Sequence, residues 1–181
     1  MLASRHVNGR TRVASDRTAK LQARNLWSEL VALRDEQRAD RATAVQVVRG
    51  KDLPQESNPM GLMRWYMHPA LRDIVLKTLS IYEQELPPRG RSGRLQFQGG
   101  QIMFIIEGTG YTLIDGVKYP WKPRDVLNLP TKKDGIVVQH FNPGEDKPAR
   151  FLVVEPNLFA ATGVDRGCGF EQLENAPDFR P

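Results

Sequence analysis

The sequence predicts a mainly β protein: a single closed jelly-roll barrel of short antiparallel strands with an N-terminal helical extension. Three observations carry this reading. From Leu79 onward apolar and polar residues alternate with a period of two, turn residues cut the alternation into short runs, and no helical pattern falls between those runs. Short strands without crossover helices pair antiparallel and manage their edges by closing into a barrel or sandwich.

Before that point the period is helical. Leu26, Leu30 and Leu33 recur at intervals of four and three, with Trp27 and Val31 broadening the stripe, which predicts an amphipathic helix with a charged continuation through DEQRADRA. Gly50 and Pro54 are expected to end it, followed by a loop over 51–60. The segment GLMRWYMHPALRDIVLKTL predicts a second short helix with Pro69 in its first turn, where a missing N–H has no partner to lose. His68, just before that proline, reads as a capping or packing residue.

The strand runs are LSIYEQEL, RLQFQ, QIMFIIEG, TGYTLIDGVKYPW, KPRDVLNLP, GIVVQHFN and ARFLVVEP. Asp115-Gly116 is the strongest hairpin signal, because a primed turn needs positive φ and Gly supplies it freely. Gly99 and Gly100 are expected to turn the chain between strands. Met103 and Ile105, interleaved with Ile102, Phe104 and Ile106, read as a strand buried on both faces. The expected organisation is a basic arm over 1–24, a helical extension over 25–78, the barrel over 79–157 and a C-terminal tail over 158–181.

Composition narrows the function classes. Of the formal charge of +5, all resides in residues 1–24, where Arg5, Arg10, Arg12, Arg17, Lys20 and Arg24 face only Asp16. The body is therefore neutral and offers no basic face for phosphates to follow, so nucleic acid is not an expected partner. Arg89, Arg91 and Arg94 form a local cluster read as solvated. Cys168 is the one cysteine, which excludes an intrachain disulfide and any clustered-cysteine metal site. With no stretch long enough to span a membrane and no apolar centre in the first twenty residues, the expectation is a cytoplasmic protein without a membrane partner.

Several local motifs resemble the cupin superfamily. The run from Gly99 to Val154 is similar to its two motifs with the hairpin between them. WYMHP, PPRGRSGRL, GYTLIDGVKYPW, DVLNLP and QHFN resemble the branch of gentisate-type and hydroquinone-type ring-cleaving dioxygenases, and within it the small subunit of two-component hydroquinone 1,2-dioxygenases. The resemblance covers about residues 60–157.

In metal-bearing members, the resemblance implies, two histidines and a glutamate from the first motif and a histidine from the second point into the barrel. Registering on Gly108 and Asn142 places Leu95 and Phe97 at the histidine pair, Gln101 at the glutamate and Val138 at the last histidine. A one-residue gap places Arg94 and Gln96 at the pair instead. Neither register recovers a histidine, and the chain has only His6, His68 and His140. Iron favours imidazole and carboxylate donors, so no metal is expected in this chain.

His140 shares a strand face with Val138. It reads either as a group that contacts a substrate and switches charge near neutral pH, or as a barrel histidine satisfied by Gln101 or Tyr111. The expected pocket residues are Leu95, Phe97, Gln101, Tyr111, Val138 and His140, with no catalytic residue assigned. Three functions follow. The first is a metal-poor accessory subunit of an Fe(II)-dependent aromatic ring-cleaving dioxygenase, the iron lying in a larger catalytic cupin partner. The second is a metal-independent module holding a small aromatic or other hydrophobic ligand in an apolar barrel. The third is a self-sufficient dioxygenase with atypical ligands, or an isomerase with His140 as base and Tyr111 or Tyr119 as acid. Self-association is expected as well, through the apolar stripe of the first helix.

Overall fold

The computed structural model describes residues 16–157 and 170–180. His6, Cys168, most of the basic arm and the first part of the tail lie outside the described residues. The chain divides into two compact units, the first ending at Thr43 and the second beginning at Ala44.

The first unit is built on helix α1 (Leu26–Ala42). Asn25 caps it, its side chain accepting the Ser28 N–H at 3.0 Å, and an Arg24–Glu29 ion pair holds the first turn. The helix stops at Ala42 rather than near Gly50. Thr43 ends it with its hydroxyl donating to the Ala39 carbonyl, and the β-branched residues that follow, Val45, Val47 and Val48, disfavour another turn. Gly50–Asp52 forms a separate 3-10 turn.

The second unit carries eleven strands among the described residues: β1 (Glu56–Asn58), β2 (Gly61–Met67), β3 (Leu79–Leu86), β4 (Arg94–Phe97), β5 (Gln101–Glu107), β6 (Gly110–Ile114), β7 (Val117–Trp121), β8 (Val126–Leu129), β9 (Ile136–Phe141), β10 (Ala149–Pro156) and β11 (Phe170–Glu174). They form two antiparallel sheets, ordered β1-β2-β3-β10-β5-β8 and β11-β4-β9-β6-β7. This is the jelly roll the alternation predicts.

Three local expectations are corrected. The second helix is absent: Gly61–Met67 extends as β2 and pairs with β3, Trp65 opposite Tyr82. Aromatic and β-branched side chains gain more from a cross-strand neighbour than from a helix turn. Pro69 instead sits in a turn where the Ala70 N–H donates to His68 Nδ1 at 3.2 Å. Strand β5 is buried on one face only, with Met103 and Ile105 in the core while Ile102, Phe104 and Ile106 are 49%, 42% and 41% exposed. A sheet packed on one side hides every second residue whatever its polarity. Finally, β11 continues the sheet beyond Pro156, pairing Phe170 with Phe97, where only a tail is expected.

The core between the sheets is mainly apolar and falls into two clusters. Leu86, Met103, Ile105, Phe151 and Val153 are almost fully buried in one cluster, and Phe97, Ile114, Leu129, Ile136 and Val138 form a second. Each such side chain contributes about 1.5–3 kcal/mol of burial. The β6–β7 turn has φ of 50° at Asp115 and 81° at Gly116, the primed geometry that matches strand twist. Asp115 also ties the hairpin to its neighbour, accepting from Val137 N at 2.8 Å and Lys132 Nζ at 2.7 Å. These bonds, Lys132 first, hold its carboxyl below the ordinary value.

Candidate functional site

A cavity of about 270 Å3 opens at one end of the barrel. Strand alternation delivers its walls. On β10, Glu155 follows Phe151 and Val153 on the inward face, and on β3 Ser80 and Tyr82 share that orientation, with Glu155 directly opposite Ser80. Leu95 and Phe97 come from β4 in the facing sheet, and Gln101 starts β5. Trp65 closes the side, 4.8 Å from both the Tyr82 ring and the His68 ring. Gly99 allows the close approach at the rim: its φ is +85°, and a Cβ there would lie 2.0 Å from the Pro130 carbonyl oxygen.

The polar pole of the cavity is Glu155 with Gln101 and Tyr82. Gln101 Nε2 donates to the Glu155 carboxylate, and Tyr82 lines the same cavity. Burial raises the Glu155 carboxyl above its ordinary value, offset in part by the Gln101 bond. Burial and then the neighbouring Glu155 charge push the Tyr82 hydroxyl well up. Both effects disfavour net negative charge in the cavity.

Leu95, Phe97 and Gln101 therefore meet on one cavity. Val138 lies beside it, paired with Leu95 across β4 and β9 and buried in the second core cluster. His140 and Tyr111 are placed elsewhere. His140 Nδ1 is 2.8 Å from Thr112 Oγ1, which also accepts from Trp121 Nε1 at 3.0 Å, and its ring lies 5.0 Å from the Phe151 ring. Its partner is thus Thr112 and not Gln101 or Tyr111. Burial lowers the imidazole to about 4, so it is neutral at neutral pH and does not switch there. Tyr111 stacks on Phe141 at 4.8 Å under the Lys118 ammonium, on the opposite face of β6 from Thr112. Tyr119 is exposed. The acid–base pairing of His140 with either tyrosine is not formed.

The basic cluster is paired: Arg89 with Glu145 at 2.6 Å, Arg91 with Glu174 at 2.5 Å, and Arg94 with Glu174 at 3.8 Å. These contacts staple loops and the β11 strand to the barrel. Trp65, Tyr82 and Glu155 are cavity residues that sequence reading missed. The signal for Glu155 was available, since a carboxylate two residues beyond Val153 on an apolar strand falls on the buried register.

The four positions that the cupin resemblance assigns to metal donors carry two hydrocarbon chains, one aromatic ring and one neutral amide. That set does not fit a mononuclear metal ion. Among the described residues no three His, Cys, Asp or Glu side chains converge elsewhere to form one.

Comparison with known proteins places the barrel. No protein-family model matches the chain. Over 117 residues it is 28% identical to a 5-aminosalicylate 1,2-dioxygenase of Comamonas sp, a match that covers 65% of this chain but only 29% of that protein's length. Among solved structures, the polyketide cyclase RemF from Streptomyces resistomycificus superposes with a TM-score of 0.54 at 17% identity, over 76% of this chain and 87% of that one. A cupin-like protein from Thermotoga maritima superposes with a TM-score of 0.50 at 17% identity, over 66% of this chain and 87% of that one.

Proposed function

Because the chain has the cupin fold yet offers a hydrocarbon lining where the fold's metal donors are expected, we propose that it is a non-catalytic cupin subunit of an Fe(II)-dependent aromatic ring-cleaving dioxygenase. The larger cupin partner holds the iron and carries out ring cleavage, and this barrel supports it as packing surface. The observation that carries the reading is the presence of Leu95, Phe97, Gln101 and Val138 at the donor positions of a barrel that keeps its apolar core clusters. The similarity to a 5-aminosalicylate 1,2-dioxygenase adds support.

The test is metal content by mass spectrometry and turnover of hydroquinone and gentisate, on the chain alone and co-purified with a larger cupin. Iron and turnover that arise only in the complex are the expected result. Stoichiometric iron with full turnover by the chain alone overturns it.

The cavity favours a second reading, in which the barrel also binds a small ligand without metal. Its volume of about 270 Å3 exceeds the roughly 150 Å3 that suffices for a single benzene ring. Binding of benzyl alcohol to the purified chain tests this reading.

A further inference from the structure

Resting on the reading of the cavity as a ligand site, we infer that it takes a small organic ammonium ion, the cation pairing with the Glu155 carboxylate and the apolar body lying among Trp65, Tyr82 and Phe97.

The charge inventory leads there. Glu155 projects into a cavity to which, among the described residues, no lysine or arginine contributes. Gln101, a neutral amide, is its hydrogen-bond partner, whereas the other buried or part-buried glutamates of the same sheet have guanidinium partners: Glu83 with Arg64 at 3.2 Å, Glu85 with Arg64 at 3.6 Å, and Glu107 with Arg150. A buried carboxylate without a cation is costly, and it is relieved either by taking a proton or by gaining a positive partner. Burial raises the Glu155 carboxyl above its ordinary value, the direction of the first route. An ammonium ligand supplies the second.

The walls suit the same ligand. Trp65 and Tyr82 are in tilted ring contact, Phe97 lies in the facing sheet, and aromatic faces attract cations when water is excluded. His68 is the remaining titratable side chain on the wall besides Tyr82. Its Nδ1 accepts the Ala70 N–H, and its ring packs edge-on against Trp65 at 4.8 Å. An anionic ligand meets Glu155 with no counter-charge, which sets the order of preference as ammonium, then neutral, then carboxylate.

Benzylamine, benzyl alcohol and benzoate share one ring and differ in the charge of the substituent. Titrated into the full chain by calorimetry near neutral pH, benzylamine is expected to bind at least roughly tenfold more tightly than benzyl alcohol, and benzoate more weakly than either. Glu155→Gln is expected to erase the preference for benzylamine while leaving benzyl alcohol affinity within about threefold, which also reports that the cavity is intact. Equal affinity for benzylamine and benzyl alcohol, or a preference that survives in Glu155→Gln, overturns the ammonium assignment while the cavity reading stands. Absence of binding by all three overturns both.

Discussion

Thr112 Oγ1 and His140 Nδ1 meet at 2.8 Å inside the barrel, across the paired strands β6 and β9. The contact joins Trp121, Thr112 and His140 into one buried polar chain, and its placement among Phe151 and the core explains why the imidazole prefers to stay uncharged.

A pH dependence follows with a definite sign. The imidazole is lowered to about 4 in the folded chain from 6.5, so the unfolded chain binds the extra proton first. His140 therefore contributes stability that is complete above about pH 6.5 and is lost as pH falls toward 4, on the order of 3 kcal/mol in all. Denaturant titrations of the native chain and His140→Gln between those limits are expected to show a steeper acid loss in the native chain. An NMR titration is expected to show no His140 transition near neutral pH.

Glu155 has the opposite sign. Its carboxyl is raised by burial, so the folded chain favours the protonated form, and that contribution is lost as pH rises through the raised value. Glu155→Gln is uncharged throughout and still able to bond Gln101. It is expected to match the native chain in melting temperature near pH 4 and to exceed it near pH 8.

Asn142 is buried and holds the β9–β10 connection against the end of β3. Its amide nitrogen donates to the carbonyls of Leu86, Pro87 and Lys147 at 2.9–3.1 Å, and its oxygen accepts from Gly144 N at 3.0 Å. Asn142→Ala strands several of these groups away from water and is expected to cost about 2–3 kcal/mol in chemical denaturation.

Two glycines with nearly the same positive φ, Gly99 and Gly116, separate strain from crowding. Gly116 has φ of +81° with nothing within 4 Å of the position a Cβ would take, whereas a Cβ on Gly99 would collide with the Pro130 carbonyl. Gly116→Ala is expected to cost about 1 kcal/mol from the backbone alone. Gly99→Ala is expected to cost clearly more, because backbone must move, and to reshape the cavity rim. Thermal melts of the two variants check the order.

Neighbours on β5 test its one-sided burial. Met103 is almost fully buried while Phe104 is 42% exposed. In denaturant titrations Met103→Ala is expected to lose about 2–5 kcal/mol by opening a core cavity, and Phe104→Ala clearly less, despite removing a larger side chain.

How much was legible divides along physical lines. Period-two alternation marked β3 from Leu79 to Leu86 and the hairpin at Asp115-Gly116, because those features depend on residues close in the chain. Around Trp65 the same kind of reading failed. A short aromatic run is ambiguous by itself, and its pairing with Tyr82 on β3 settled it. Phe170 was likewise unreadable as a strand, since its partner Phe97 lies far away in sequence. For the site, Leu95, Phe97 and Gln101 were named from the register of the cupin resemblance, Glu155 was legible only from its place in the β10 alternation, and Trp65 and Tyr82 needed the strand pairing.

By itself, then, the sequence determined the all-β character of the barrel, the position of its tight turn and the chemical identity of the side chains at the four donor positions. Only the tertiary structure decided which face of β5 is wet, that His140 turns to Thr112 inside the core, and that a carboxylate from β10 stands among aromatic walls with a neutral amide for its partner. Local periodicity reports which residues share a face, but the partner that covers a face is chosen by strands distant in the chain, and charge state follows from that choice.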